Sequence, residues 1–398
     1  MLKSPHLGHL SRMSKNPMLS VIMAVYNCDP FVSESIESIL SQTFTDYEFI
    51  IVDDSSADDT LNLLTGYAAK DSRIILVKNE INLGLTESLN LAIEMSSGVF
   101  IARMDGDDIS HPSRLAEQTA CLLRNPEIVC VGAQAKIIDE DGDIIEDWTK
   151  PLSSEEIKEK LVSEGGGQII HPLATFRRTA FNQVGGYDSR YRLSQDYDLL
   201  LKFAEIGELC NLPQFLLKYR RHKNAITSSK RNAQINYAIK ALIEAQERRN
   251  LQIDHILIPE VAYPRAEYHY HLNYARKALM GKNYESAKKH ARHAKQAIPR
   301  YSPEWHEMNC IIKPSFVNRS LCKLSSFFSP KLFFFARCLR SMGIQNSRQL
   351  NGSKRYLQAS SGGISRHPSF SVTIMGESCL DPLGRTGANV ARQQDLPD

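Results

Sequence analysis

Three carboxylates stand within four residues of the chain, at Asp105, Asp107 and Asp108. Carboxylates this close repel one another unless a cation is present, and their hard oxygen ligands suit Mg²⁺ or Mn²⁺. Such ions are usually held by one or two carboxylates together with substrate phosphates and water. The spacing therefore indicates a site for a divalent metal and a diphosphate. A solvated acidic turn is the alternative for a D-x-D tripeptide taken alone.

A second acidic pair, Asp53-Asp54, is followed by Ser55-Ser56. These residue types suit the N-terminal cap of a helix. They suit equally well hydrogen bonding to the base and ribose of a nucleotide. The pair by itself leaves both interpretations open.

The segments that must position these acids alternate between strand-like and helix-like patterns. Short continuous apolar runs are typical of strands buried in a parallel sheet, and their alternation with helices implies right-handed crossovers. Ligands of such sheets bind at the carboxyl ends of the strands, so Tyr26 and both acidic groups should converge on one crevice. The predicted strands are residues 19–25, 49–52, 74–77 and 100–104, and the predicted helices are residues 30–42, 60–69 and 85–95.

The remainder of the chain is more mixed. Residues 128–131, 135–138 and 216–221 have strand-like patterns, and residues 196–204 have a helical one. Asp141-Gly142 predicts a turn and Gly165-Gly166-Gly167 a loop. The predicted organisation is a flexible N-terminus at 1–17, a catalytic domain at 18–230, a helical extension at 231–342 and a disordered tail at 343–398, where periodicity is lost.

Within the helical extension, two helices are predicted between residues 268 and 298, separated by Gly281 and Asn283. Their small residues at helical spacing resemble a tetratricopeptide hairpin, although only one copy is visible. The helices could bind a protein partner, but we favour packing against the catalytic domain. A basic-aromatic segment at 331–340 could contact a membrane surface, and packing within the protein is again the favoured alternative.

Composition excludes several classes of protein. The net charge of +3 gives no reason to expect nucleic acid as a partner. None of the eight cysteines forms a C-x-x-C pair, so no zinc site is expected, and free buried thiols are expected instead of disulfides. Neither a secretory signal nor an apolar run long enough to span a membrane is visible. We therefore expect a cytoplasmic protein, with any membrane contact at the inner face.

Taken together, the motifs resemble glycosyltransferase family two, whose members have the GT-A fold. The resemblance covers about residues 18–228 and is carried by a set of short segments in order. These segments are LSVIMAVYN at 19–27, SILSQTF at 38–44, IVDDSS at 51–56, NLGL at 82–85, SLN at 88–90, Gly98, IARMDGDD at 101–108, HP at 111–112, Arg114, HP at 171–172, GGYD at 185–188, QDYDL at 195–199 and YRRH at 219–222. The fold class implied is α/β: a Rossmann-like, mostly parallel sheet flanked by helices, with a helical C-terminal extension.

The resemblance also implies roles on the nucleotide side of the site. Ala24, Val25 and Tyr26 would line the nucleotide pocket. Asp54 would pair with the base, with Asp53 beside it.

Further residues would act on the sugar and the phosphates. Arg103 would help to close the nucleotide pocket, and Asp105 would contact the ribose. Asp107 would bind Mn²⁺ or Mg²⁺ through the diphosphate, and His222 lies in a loop that approaches the metal or the phosphates in some relatives. Asp196 matches the family's catalytic base.

The function implied is an inverting transfer of sugar from a nucleotide-sugar, UDP-linked, to a hydroxyl of a glycan or lipid-linked acceptor in polysaccharide or glycan synthesis. Gln195 replaces the acid that usually precedes the base, which leaves the base itself in place. A catalytically silent nucleotide-sugar-binding scaffold is one alternative, although the metal acid and the base are both present. A nucleotidyltransferase or a nicotinamide dehydrogenase is disfavoured, because residues 26–30 contain no glycine.

Overall fold

The computed structural model describes residues 16–222, 231–249, 267–298 and 303–312. All of them fall within one compact unit, Met1–Ile344, and a second unit, Gln345–Asp398, lies outside the described residues. The basic-aromatic segment at 331–340, the tail at 343–398 and most of the predicted flexible N-terminus also lie outside them. Among the described helices, none has the length and apolar character needed to span a bilayer.

The N-terminal half is the parallel part of the sheet. Strands β1 (Leu19–Val25), β2 (Tyr47–Asp53), β3 (Ile74–Lys78) and β4 (Phe100–Met104) pair in the order β3-β2-β1-β4. Helices α1 (Val32–Leu40), α2 (Thr60–Ala68) and α3 (Leu85–Glu94) connect them. Both faces of β1 and β4 are buried, which is why these strands are almost continuously apolar.

The C-terminal half of the sheet is mixed. Strand β8 (Thr175–Arg177) lies antiparallel between β4 and β6 (Ile128–Ile138). Strand β6 pairs in parallel with β9 (Glu208–Arg220) and antiparallel with β7 (Ile144–Trp148), and β5 (Ile109–Ser110) adds to the far side of β9. The fold is therefore the α/β arrangement that was predicted, with its parallel strands concentrated where the acids lie.

The strands predicted in this half are present, but two of their boundaries differ from the prediction. Residues 128–131 and 135–138 belong to one strand, and β9 begins eight residues before the predicted start at 216. Gln134 interrupts the apolar pattern of β6, but its side-chain nitrogen donates to the carbonyls of Leu212 and Lys150 at 3.1 and 3.3 Å. Because this buried amide is satisfied inside the sheet, the strand continues through it.

Helices cover the sheet and extend it. The remaining helices are α4 (Arg114–Arg124), α5 (Ser154–Ser163), a short 3₁₀ helix (His171–Leu173), α6 (Arg178–Gln183), α7 (Gln195–Ile206), α8 (Arg231–Arg248), α9 (Glu267–Met280), α10 (Tyr284–Ala297) and α11 (Pro303–Ile312). The α9–α10 hairpin packs its alanines against Ile137 of β6 and Ile145 of β7. This contact agrees with the packing interpretation of the hairpin, and a protein partner there stays a prediction.

Candidate active site

A backbone hydrogen bond of Asp54 joins the carboxyl ends of β1 and β2. Its backbone N–H donates to the carbonyl of Val25 at 2.9 Å. Its carboxylate accepts from Asn79 Nδ2 at 2.7 Å and from the backbone N–H groups of Leu83 and Gly84, each at 2.8 Å. A carboxylate offers about four lone-pair positions, so three donors fix Asp54 and leave capacity for one more. The predicted pairing with a base is compatible with this geometry and stays a prediction.

The other residues predicted to line the nucleotide pocket differ in exposure. The side chain of Tyr26 is half exposed, at 52%, whereas Val25 is buried and Ala24 is partly buried. Asp53 is fully buried; its Oδ2 accepts from the N–H of Ser56 at 3.3 Å, and its Oδ1 has no partner within the described part of the chain. Tyr26 is therefore the side chain of this group that a ligand could cover, while Val25 could contribute only its backbone.

The acidic cluster at the end of β4 consists of Asp105, Asp107 and Asp108, and one carboxylate oxygen of each lies within 4.8 Å of the others. Asp108 accepts one hydrogen bond, from the N–H of Arg220 at 2.8 Å, and its other oxygen is buried with no partner among the described residues. Burial and the neighbouring acids raise the pKa of Asp108 well above the ordinary value. Burial also raises the pKa of Asp105, against the opposing charge of Arg103. Oxygen ligands short of donors in this way fit a divalent cation.

The predicted metal pair is brought together in space. His222 Nε2 lies 3.0 Å from Asp107 Oδ2, although 115 positions separate the two residues in the chain. The His222 ring also packs against Phe31 of the loop after β1, with ring centroids 5.0 Å apart. The imidazole is therefore placed beside the acidic cluster, and its role as a ligand stays a prediction.

Arg220, at the end of β9, is a residue to which the sequence interpretation gave no role. Its Nε donates to the carbonyl of Asp107 at 2.8 Å, in addition to the backbone contact with Asp108. Its Nη1 donates to the carbonyls of Asp139 and Glu140 at 3.2 and 2.7 Å. The only signal in the sequence is its position beside His222, because contacts to backbone carbonyls leave no pattern in residue types.

Arg103 occupies the middle of the site. Its guanidinium is buried and forms an ion pair with Asp105, while Nε and Nη1 find no partner among the residues described. The same positive charge partly offsets the rise in the pKa values of Asp105 and Asp196 that burial causes. Closure of the nucleotide pocket by Arg103 stays a prediction.

Asp196 is the second residue of α7, and it follows Ser194 in a left-handed conformation with φ of 62°. Burial raises the pKa of Asp196, which backbone N–H groups and Arg103 partly oppose. Its charge also contributes to the raised pKa of Asp105, and a position of the predicted base opposite the acidic cluster stays a prediction. A carboxylate whose pKa is shifted towards neutrality is suited to accept a proton at physiological pH.

His171 and Tyr187, to which the sequence interpretation gave no role beyond their motifs, form a buried pair. His171 Nε2 and Tyr187 Oη are 2.8 Å apart. Burial and the charge of Arg103 lower the pKa of His171 well below its ordinary value, so its imidazole is neutral. The pair therefore contributes a hydrogen bond to this region and no net charge.

Comparison with known proteins was made on the whole chain. A family model described as "Glycosyl transferase family 2" matches residues 20–185. The protein EpsE of Bacillus subtilis, which carries the name of a glycosyltransferase, is 37% identical over 246 residues, covering 61% of this chain and 85% of EpsE. The Escherichia coli protein WbnJ, named as an O-antigen biosynthesis glycosyltransferase, is 34% identical over 218 residues, covering 53% of this chain and 83% of WbnJ.

Among solved structures, S. aureus TarS in complex with UDP-GlcNAc is similar at 16% identity and a TM-score of 0.47, over 75% of this chain and 84% of that chain. A likeness at this level carries no argument about activity. The two sequence relatives are matched over most of their own length, and they define the family.

Proposed function

This chain belongs to glycosyltransferase family 2, and from that premise we propose an inverting, metal-dependent transfer of sugar from a UDP-linked donor to an acceptor hydroxyl. The acceptor proposed is a glycan or a lipid-linked saccharide in polysaccharide synthesis, in the cytoplasm at the inner face of the membrane. One observation carries the proposal: Asp105, Asp107 and Asp108 each bring a carboxylate oxygen within 4.8 Å of the others, and Asp108 Oδ2 is buried with no donor among the described residues. Asp196, whose pKa burial raises, supports the assignment of a base.

Binding of the donor falls to the ends of β1, β2 and β4. Tyr26 offers an exposed ring to the nucleotide, and Asp54 offers the remaining acceptor position of a rigidly held carboxylate to the base. Asp53 lies beside it, and Asp105, anchored by Arg103, is positioned to orient the ribose. Fixing the donor in one geometry removes part of the entropic cost of reaching the transition state.

The diphosphate needs compensation of its charge before it can leave. A bound Mn²⁺ or Mg²⁺ supplies that compensation as a Lewis acid. Asp105, Asp107 and Asp108 would hold the ion, and His222 stands close enough to Asp107 to ligate the ion or to orient that carboxylate. Arg220 keeps the strand end in place through the backbone of Asp107 and Asp108.

Chemistry at the acceptor falls to Asp196. Its carboxylate takes the proton of the acceptor hydroxyl while the oxygen forms a bond to the anomeric carbon of the sugar. The bond from that carbon to the nucleoside diphosphate breaks on the opposite face, so a single displacement inverts the configuration. Neutral His171 and Tyr187 line the same region and would not compete for this proton.

The test is Asp196→Asn, assayed by hydrolysis or transfer from a set of nucleotide-sugars with Mn²⁺. The turnover number should fall by roughly 10²- to 10⁴-fold, the usual contribution of a general base, while donor affinity measured by calorimetry stays unchanged. Glu205→Gln on the same helix is the matched control, since Glu205 pairs with Arg248 at the surface. Native turnover in Asp196→Asn would refute the base assignment. Donor binding without turnover by the wild type would support the scaffold alternative instead.

A further inference from the structure

Three histidines of the helical extension converge at one point. His271 projects from α9, and His290 and His293 project from α10. One ring nitrogen of each lies within 4.8 Å of the others. The His271 ring centroid is 5.1 Å from that of His290 and 4.8 Å from that of His293. Residues i and i+3 share one face of a helix, so the hairpin presents all three imidazoles to the same small volume.

The orientation of His290 is set by Asp139 in the turn between β6 and β7. His290 Nε2 lies 2.9 Å from Asp139 Oδ2. An ionised carboxylate can only accept, so the proton of a neutral His290 is on Nε2 and its Nδ1 carries a lone pair. That Nδ1 points at His271 Nδ1, which is 2.8 Å away. A carboxylate behind a histidine whose second nitrogen faces other ligands is the usual outer-shell arrangement of a metal site.

We propose that His271, His290 and His293 bind a divalent transition-metal ion of the zinc class. Three imidazoles with a fourth position open to water are an established coordination set for Zn²⁺. The acidic cluster at the end of β4 offers three carboxylates, with His222 as a single nitrogen beside Asp107, and such a mainly oxygen set suits Mg²⁺ or Mn²⁺. The two sites of this chain therefore select different metals.

The surroundings allow an ion to reach the site and hold it. His290 is 2% exposed, His271 is partly buried and His293 is exposed, so the cluster opens to solvent on the His293 side. The rings of Tyr270 and Tyr274 pack around His290 with centroids 6.3 and 5.1 Å from it. A bound ion would join α9 to α10, and Asp139 would fasten both to the catalytic part of the chain.

The expectation of no zinc site rested on cysteine spacing alone. That expectation concerned thiolate ligands and does not extend to histidines. Only His290-x-x-His293 is visible as a spacing, and the third ligand is 19 positions upstream on the partner helix of the hairpin. The fold is needed to bring His271 to the pair.

The test uses Co²⁺ as a spectroscopic substitute for Zn²⁺, added to the full-length protein after metal removal. The wild type should bind one Co²⁺ with the visible absorption of a low-symmetry, nitrogen-ligated ion. His293→Ala should lose this absorption and bind Zn²⁺ at least about 10-fold more weakly, since even outer-shell changes cost about 10- to 100-fold. His293 is exposed, so its replacement should leave folding intact.

Two controls separate this site from others. His111→Ala removes an exposed histidine whose ring contacts Ser113 and should keep the full Co²⁺ absorption. Asp107→Asn should also keep it, because the mainly oxygen-ligated ion expected at the acidic cluster would absorb only weakly. Absence of the absorption in the wild type, or its persistence in both His293→Ala and His271→Ala, would overturn the proposal.

Discussion

Arg220 contacts two groups of acids, one around Asp139 and one that includes Asp107 and Asp108. Donors of the protein compensate the negative charge of Asp139, whereas Asp108 lacks most of its donors. Asp139 accepts four hydrogen bonds: Oδ1 from the N–H groups of Asp141 and Asp143 at 3.1 and 2.9 Å, and Oδ2 from Lys289 and His290 at 2.6 and 2.9 Å. Burial alone would raise its pKa, but hydrogen bonds from His290 and Lys289 hold that pKa below the ordinary range.

The acidic cluster at the end of β4 is the contrasting case. Asp108 receives a single hydrogen bond, and its pKa is raised by burial and by the neighbouring acids. The first group is complete within the protein and stabilises it. The second group is incomplete, and its destabilisation of the folded state is the physical basis of its affinity for a cation. Asp108 thus differs from Asp139 in the donors it lacks.

The largest effect is expected from Asp107→Asn. Removing this charge should lower the Mn²⁺-dependent rate by roughly 10²- to 10³-fold, the range for one lost preorganised electrostatic contact, and should abolish the effect of Mn²⁺ on donor affinity. Initial rates and donor binding would be measured across a Mn²⁺ titration. Asp147→Asn, in a surface pair with Lys136, is the control. An unchanged Mn²⁺ dependence would show that Asp107 is no ligand.

Asp139→Asn tests the group of acids around Asp139, whose charge the protein itself compensates. The free energy of unfolding should fall by about 3 kcal/mol, as for a buried charge pair that loses one partner, and urea denaturation would measure it. Because the folded-state pKa is lowered, the contribution of Asp139 is present above its unfolded-state pKa and is lost only as the pH falls through the folded value. Glu285→Gln, at an exposed pair with Lys288, should change little. Equal stability of Asp139→Asn and wild type would contradict the stabilising role of Asp139 and, with it, the difference from Asp108.

Asp108→Asn should have the smallest effect and the opposite sign. In metal-free protein it should raise the Tm, by roughly 2–4 °C for each 1 kcal/mol of relieved repulsion, while its metal-dependent activity falls. The raised folded-state pKa means that stability is lost as the pH rises above the ordinary carboxyl value. The gain should therefore be larger at pH 8 than at pH 5, as measured by thermal melts with a chelator. A lower Tm at both pH values would contradict it.

The parallel half of the fold could be predicted closely from the sequence. Strands β1 to β4 are short and separated by amphipathic helices, β1, β2 and β4 are almost wholly buried, and each predicted boundary lies within two residues of the observed one. The mixed half was harder, because β8 has three residues and β6 contains the polar Gln134. Strands held by neighbours distant in sequence carry little pattern of their own.

The candidate site, like the fold, could be predicted only in part from the sequence. The convergence of Asp53-Asp54 with the acidic cluster is expected from the rule that ligands bind at strand carboxyl ends. The structure joins the ends of β1 and β2 by a backbone hydrogen bond and pairs β1 with β4. The assignment of Asp196 as the base depended on the family resemblance. Arg220 and the His171–Tyr187 pair could not be predicted, since their contacts join residues through backbone carbonyls or across the fold.

Arg220 donates to backbone carbonyls on both sides, at Asp107 and at Asp139-Glu140. Because Asp139 also contacts Lys289 and His290, three successive hydrogen bonds connect the helical extension to the motif at 104–108. Substitutions in contacting networks have non-additive effects. We therefore expect epistasis in evolution. The residues tolerated in the α9–α10 hairpin should depend on which residues stand at 104–108, so the two regions should vary together among related sequences.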